Sequence, residues 1–167
     1  MTLQELNSLN PEKCRAEFFK CCGSSKWAMQ LCELRPFESL ESLLRQGDRI
    51  WLACSDTDMM EAFSHHPKIG DLKNLEEKFS TTKVWAGGEQ AGVNSAGRDV
   101  LLALAAGNAA YEKRFGYIFI VCASGKSARE MLDLLQARLN NNAESEKIIA
   151  RTEQNKITHL RIHKLLA

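Results

Sequence analysis

A β-sheet needs at least two strands to satisfy its backbone groups, and this sequence offers a single strand-like run. "YIFIVCA", Tyr117 to Ala123, is a continuous stretch of β-branched, aromatic and small residues with no second run to pair with it. The expected fold class is therefore all-α: a single-domain helical bundle over residues 1–167, with one irregular segment and a short extended stretch. The backbone of Tyr117–Ala123 must be satisfied by something other than a sheet, either by burial among other groups or by a ligand.

Helix punctuation fits that expectation. Only three prolines occur. In "LNPEKCRAEFFKCCG", Asn10 is placed as an N-cap, Pro11 as the first helical residue and Gly23 as the residue past the end. A second helix runs from about Ser25 to Leu34 and stops before Pro36. A third sets Leu40, Leu43, Leu44 and Ile50 near one face, with Gly47 weakening its middle. Asp56 reads as the cap of a short fourth helix.

From Pro67 to Asn94 the pattern turns irregular and rich in glycine, as functional segments inside compact domains often do. A long helix then ends at Gly116, and "SAREML" is a capping box formed by Ser127 and Glu130. On the last helix Ile149, Ile157 and Leu160 share a face, with Arg161 at its margin.

Charge excludes whole classes of partner. Lys and Arg number 22 against 21 Asp and Glu, a net +1. That balance supplies neither the basic field of a nucleic-acid binder nor that of a membrane-surface protein. "VLLALAAGNAAY" is far shorter than the roughly 20 residues that cross a bilayer. The first residues lack the basic and apolar regions of a secretory leader, and "HKLLA" is not a peroxisomal address, so the expected location is cytoplasmic.

Six cysteines form no C-x-x-C pair, and Cys14, Cys21 and Cys22 share a helical face with Phe18. They read as buried, reduced thiols rather than zinc ligands or disulfides. His159 and His163 are spaced for a metal but lack a third ligand, and no nucleotide-binding glycine motif is present. No cofactor is expected.

Three places carry chemistry. "FSHHPKIGD" sets His66 against Pro67, which biases His66 away from helix. His66 is either the end of a helix or a proton-transfer group, whose pKa near about 6.5 would contribute about 10²–10⁴-fold. His65 cannot share its direction, because adjacent side chains diverge. In "WAGGEQAGV", Gly87 and Gly88 let the backbone approach a ligand. Glu89 can orient His66 or act on a hydroxyl, and Gln90 offers a donor and an acceptor to a ureide. Taken alone that stretch is equally a solvated turn. Arg161 in "THLRIHKLL" is a fork for a carboxylate, or the partner of a surface acid.

"HPKIG", "EQAGV", "NAAYEKRFGYIFIVCA" and "LRIHKLL", in that order and with the upstream "RPFESL", resemble the 2-oxo-4-hydroxy-4-carboxy-5-ureidoimidazoline (OHCU) decarboxylase family over nearly the whole chain. The resemblance implies a cofactor-free, all-helical enzyme of urate degradation, usually a homodimer, that converts OHCU to (S)-allantoin and CO2. It places the family's catalytic histidine on His66, with Pro67 beside the substrate. The family's Ser-x-x-Glu-Gln segment falls on Ala86, Gly87, Gly88, Glu89 and Gln90, its acid on Glu89 and its amide contact on Gln90. The segment whose backbone meets substrate falls on Phe119, Ile120, Val121, Cys122 and Ala123, and the late arginine on Arg161.

Two positions depart from the family pattern. Ala86 stands where many members carry serine, and Ile118 where many carry proline. The alternatives are a non-catalytic helical ureide- or purine-binding protein and a ureide hydrolase using the same His–Glu pair. Retention of His66, Glu89, Gln90 and Arg161 together favours catalysis.

Overall fold

The computed structural model describes residues 1–66 and 92–167, with side chains for 1–66 and 97–167. Among the described residues every regular element is a helix. In chain order these are α1 (Leu3–Ser8), α2 (Pro11–Cys22), α3 (Ser25–Glu33), α4 (Leu40–Ala53), α5 (Asp56–Ser64), α6 (Gly92–Phe115), α7 (Ala128–Arg138) and α8 (Ala143–Leu165). The all-α expectation holds.

Local capping chemistry accounts for most boundaries. The Asn10 side chain accepts the Lys13 N–H at 2.8 Å, Pro11 opens α2, and Gly23 closes it at φ 83°. Ser127 and Glu130 cap α7 reciprocally. Three boundaries differ from the sequence reading. The cap of α5 is Ser55, not Asp56: Ser55 has an acid three residues on, Asp58, which takes its N–H at 2.8 Å, whereas Asp56 has Met59 there. A similar box between Thr2 and Glu5 starts α1, a helix the apolar pattern is too short to reveal. Helix α6 begins at Gly92, inside the stretch read as irregular.

The described residues belong to two compact units. The first comprises Met1–His66, Ile120–Cys122 and Ile149–Ala167. Its core holds Cys14, Phe18, Cys21 and Cys22 of α2 and Trp27, Ala28 and Leu31 of α3. Leu43 and Ile50 of α4 and Met59, Ala62 and Phe63 of α5 join it. Gly47, a weak helix former by propensity, lets the Trp27 ring lie against the α4 backbone, and Trp27 Nε1 donates to its carbonyl at 2.8 Å.

Within this unit α8 does not bury the stripe expected of it. Ala150, Gln154, Thr158 and Ile162, each four residues apart, are buried, while Leu160 is 39% exposed. Two of those four are polar, so an apolar-period reading selects the wrong face.

Among the described residues, the second unit comprises 92–119 and Ala123–Ile148. Leu101, Leu104, Asn108 and Tyr111 of α6 and Met131, Leu132, Leu135 and Arg138 of α7 are buried. Arg138 pairs with fully buried Glu146 at 2.6 Å, and Glu146 also accepts from the Tyr111 hydroxyl and from Asn141 at 2.8 Å. The Arg138 guanidinium lies 4.6 Å from the Phe119 ring centroid. Every charge in this cluster has a partner, which buried charge requires.

Candidate active site

A helix leaves its last carbonyls without intrahelical partners and carries partial negative charge at that end. Gly23 closes α2 through its N–H to Phe19, leaving the Lys20, Cys21 and Cys22 carbonyls to be met from outside. Helix α8 supplies the donors. Arg161 Nη1 donates to Lys20 and Cys21, both at 3.3 Å, and Gln154 Nε2 donates to Cys22 at 3.2 Å. A second arginine of α8 does the same for α4: Arg151 donates to the Trp51 and Cys54 carbonyls, each at 2.8 Å. This pattern fixes the register of α8 against the ends of α2 and α4.

His66 arrives at this place from α5. His65 caps the helix, and the His66 N–H still bonds the Phe63 carbonyl at 3.2 Å. The two imidazoles then diverge. His65 sets its ring edge-on to Phe19 at 4.8 Å, whereas His66 Nε2 meets Gln154 Oε1 at 2.6 Å. Gly23 permits this approach, since a Cβ there would lie 3.1 Å from both the Ala62 oxygen and the His65 Cβ.

Half-burial lowers the pKa of His66 below its ordinary value of about 6.5, against the opposing effect of the Gln154 hydrogen bond. The Arg161 charge lowers it further. At neutral pH His66 is therefore a neutral imidazole with a fixed guanidinium acting on it. Among the described residues, its Nδ1 and the Nε and Nη2 of Arg161 make no hydrogen bond. A basic nitrogen and a forked cation suit a small carboxylic acid that must exchange a proton.

The extended stretch forms no strand: residues 118–123 are irregular, and Phe119, Ile120, Val121 and Cys122 are buried. Ala123 is half-buried. The Cys122 N–H goes to the Glu153 carboxylate at 2.7 Å, so one backbone group read as substrate-facing already has a protein partner. The Phe119 ring packs on Tyr111 with centroids 5.1 Å apart. Pro67, Ala86, Gly87, Gly88, Glu89 and Gln90 lie outside the described residues.

Gln154 and Glu153 are absent from the sequence reading. Their only signal is the four-residue spacing of Gln154 from Ala150 and Thr158, which apolar periodicity cannot register. All six cysteines are buried thiols, and no group of three or more metal-ligating side chains occurs among the described residues.

Comparison with known proteins matches residues 7–163 to the family described as OHCU decarboxylase. The uric acid degradation bifunctional protein TTL of Arabidopsis thaliana is 39% identical over 153 residues, which cover 90% of this chain and 47% of that protein. The chain thus spans less than half the length of that relative. The 2-oxo-4-hydroxy-4-carboxy-5-ureidoimidazoline decarboxylase of Mus musculus is 31% identical over 132 residues, covering 79% of this chain and 74% of its own. A crystal structure of OHCU decarboxylase in the presence of (S)-allantoin superposes with a TM-score of 0.71 at 36% identity, covering 90% of this chain and 96% of that one.

Proposed function

The chain belongs to the OHCU decarboxylase family, and on that footing we propose that it converts OHCU to (S)-allantoin and CO2 in urate degradation. The observation that carries the reading is that Gln154 and Arg161, which meet the carbonyls ending α2, bring the half-buried imidazole of His66 to that same helix end.

Cleavage of the carbon–carbon bond releases CO2 and leaves its electron pair on the ring, where the neighbouring imine-like nitrogen takes it up with a proton from water. Neutral His66 accepts the substrate hydroxyl proton as that bond breaks, which leaves an enolate, and returns the same proton to one face of its carbon, so both the loss of CO2 and the handedness of the product pass through the imidazole. Burial supports the role, because it keeps the imidazole unprotonated at neutral pH.

Arg161 meets the substrate carboxylate through the edge not engaged with α2, as a point of orientation. That carboxylate is the group that leaves, so Arg161 orients it without holding it tightly, since tight ground-state binding would oppose its loss. Glu89 orients His66 or the hydroxyl, and Gln90 holds the ureido group beside Pro67. Ala86, Gly87 and Gly88 admit the ring, and Phe119, Ile120, Val121, Cys122 and Ala123 line it through backbone groups other than the Cys122 N–H.

The same reading makes residues 1–167 one catalytic domain, cofactor-independent, cytoplasmic and homodimeric. Chelation and dialysis then leave activity intact.

The test is circular dichroism of freshly generated OHCU with and without protein. Rapid appearance of a single-enantiomer allantoin signal, absent with His66→Ala, is the expected result. An intermediate that decays at the uncatalysed rate in the presence of wild-type protein refutes the proposal and favours a ureide-binding protein.

A further inference from the structure

We propose that Gln154 is a positioning residue for this reaction: its amide oxygen holds the proton on Nε2 of His66, leaving Nδ1 as the basic nitrogen offered to substrate. The inference rests on the reading of His66 as the proton-transfer group.

A glutamine amide has two N–H donors on one atom and an acceptor on the other, and chemistry alone must decide which atom points where. Here the decision is forced. The Cys22 carbonyl, 3.2 Å away, has no hydrogen to give, so the atom facing it is the amide nitrogen. The second N–H reaches Thr158 Oγ1 at 3.3 Å, which can accept because its own proton goes to the Gln154 carbonyl at 3.0 Å. Flipping the amide would set oxygen against the Cys22 carbonyl oxygen.

The remaining amide atom, Oε1, therefore faces His66 Nε2 at 2.6 Å, and it can only accept. Nε2 must carry the hydrogen. A neutral imidazole has one N–H, so its lone pair is on Nδ1.

Gln154 and Thr158 are both buried, at 0% and 2% exposure, so water does not substitute for either. The chain runs from the end of α2 through an amide to the ring, and among the described residues Nδ1 is the His66 ring nitrogen without a hydrogen bond. A glutamine that served merely to satisfy the Cys22 carbonyl would not need its oxygen aimed at the imidazole.

The experiment uses the full chain labelled with ¹⁵N-histidine, examined by long-range ¹H–¹⁵N correlation at a pH well above the imidazole range. The His66 signals are assigned by their loss in His66→Asn. The expected wild-type spectrum has Nε2 protonated and Nδ1 not. In Gln154→Leu the two nitrogens move toward tautomer-averaged positions, and kcat/KM falls about tenfold as the ring loses its orientation.

Gln154→Glu keeps the size and the acceptor toward His66, gives up the N–H donors to Cys22 and Thr158 and adds charge, so the acid limb of the kcat/KM profile moves up by about one unit. A merely structural glutamine would leave both the tautomer and that limb in place. Nδ1–H in the wild type, an unchanged tautomer in Gln154→Leu, or an unmoved limb in Gln154→Glu overturns the proposal. Full turnover by His66→Asn overturns instead the catalytic reading of His66, so the two failures are distinguishable. The wild-type spectrum stands even if neither Gln154 variant folds.

Discussion

Gly23→Ala tests whether the end of α2 builds the site. Gly23 has φ 83°, a left-handed conformation that disfavours a side chain by roughly 1 kcal/mol. Its Cβ would also meet the Ala62 carbonyl oxygen and the His65 Cβ at 3.1 Å, and neither is the end of a flexible chain. The last turn of α5 must therefore shift by a few tenths of an ångström, at an overpacking cost of about 1–2 kcal/mol. Gly116 supplies the control: its φ is 80°, but nothing lies within 4 Å of its Cβ position, so Gly116→Ala bears the backbone term alone. At about 2–4 °C per kcal/mol for a chain of this size, Gly23→Ala should lower Tm by about 4–12 °C and Gly116→Ala by about 2–4 °C. Because the shift moves the segment carrying His66, Gly23→Ala should also reduce kcat/KM on OHCU by about tenfold or more. Thermal melts and initial rates on the two variants decide the matter. Equal Tm losses, or a destabilised Gly23→Ala with wild-type kcat/KM, would show that the α2–α5 approach does not position the imidazole.

The packing sets three further outcomes. Glu146→Ala takes the fully buried carboxylate away from Arg138, Tyr111 and Asn141 at once and should cost about 3–5 kcal/mol by urea denaturation; a loss under about 1 kcal/mol would mean that water reaches the cluster. Burial raises the thiol pKa of Cys21 to about 11 and of Cys14 and Cys22 to about 12, so native protein should react slowly with thiol reagents and all six should react after unfolding. His66 resists protonation when folded, so the unfolded chain binds the extra proton between the lowered folded pKa and the ordinary value. Its contribution to stability is whole above about pH 6.5 and is lost as pH falls toward the folded pKa, so His66→Asn should flatten that part of the urea-midpoint profile.

Much of this was legible in the sequence because it is written in local chemistry. Asn10, Pro11, Gly23 and the Ser127–Glu130 pair mark their helices through groups within one turn, and no longer-range information is needed to read them. Asp56 misled because Ser and Asp both cap, and only the identity of the residue three further on separates Ser55 from it. The last helix misled for a different reason. Its buried face carries Gln154 and Thr158, whose burial is tolerated because their hydrogen bonds close on Cys22, His66 and each other, partners distant in sequence. His66 and Arg161 could be singled out as residue types suited to the chemistry, but the α2 carbonyls that fix α8 beside them carry no side-chain signature at all. The lone extended stretch was correctly denied a sheet, yet Glu153 as the acceptor of its Cys122 N–H was out of reach for the same reason.

The central claim is that His66 transfers the proton in the loss of CO2 from OHCU. Its most direct test is the initial rate of CO2 release from freshly generated OHCU, compared between wild-type protein and a His66→Ala variant of matching far-ultraviolet spectrum. The account predicts release well above the uncatalysed rate with wild type and a fall of about 10²-fold or more with the variant. Equal release from both would contradict it.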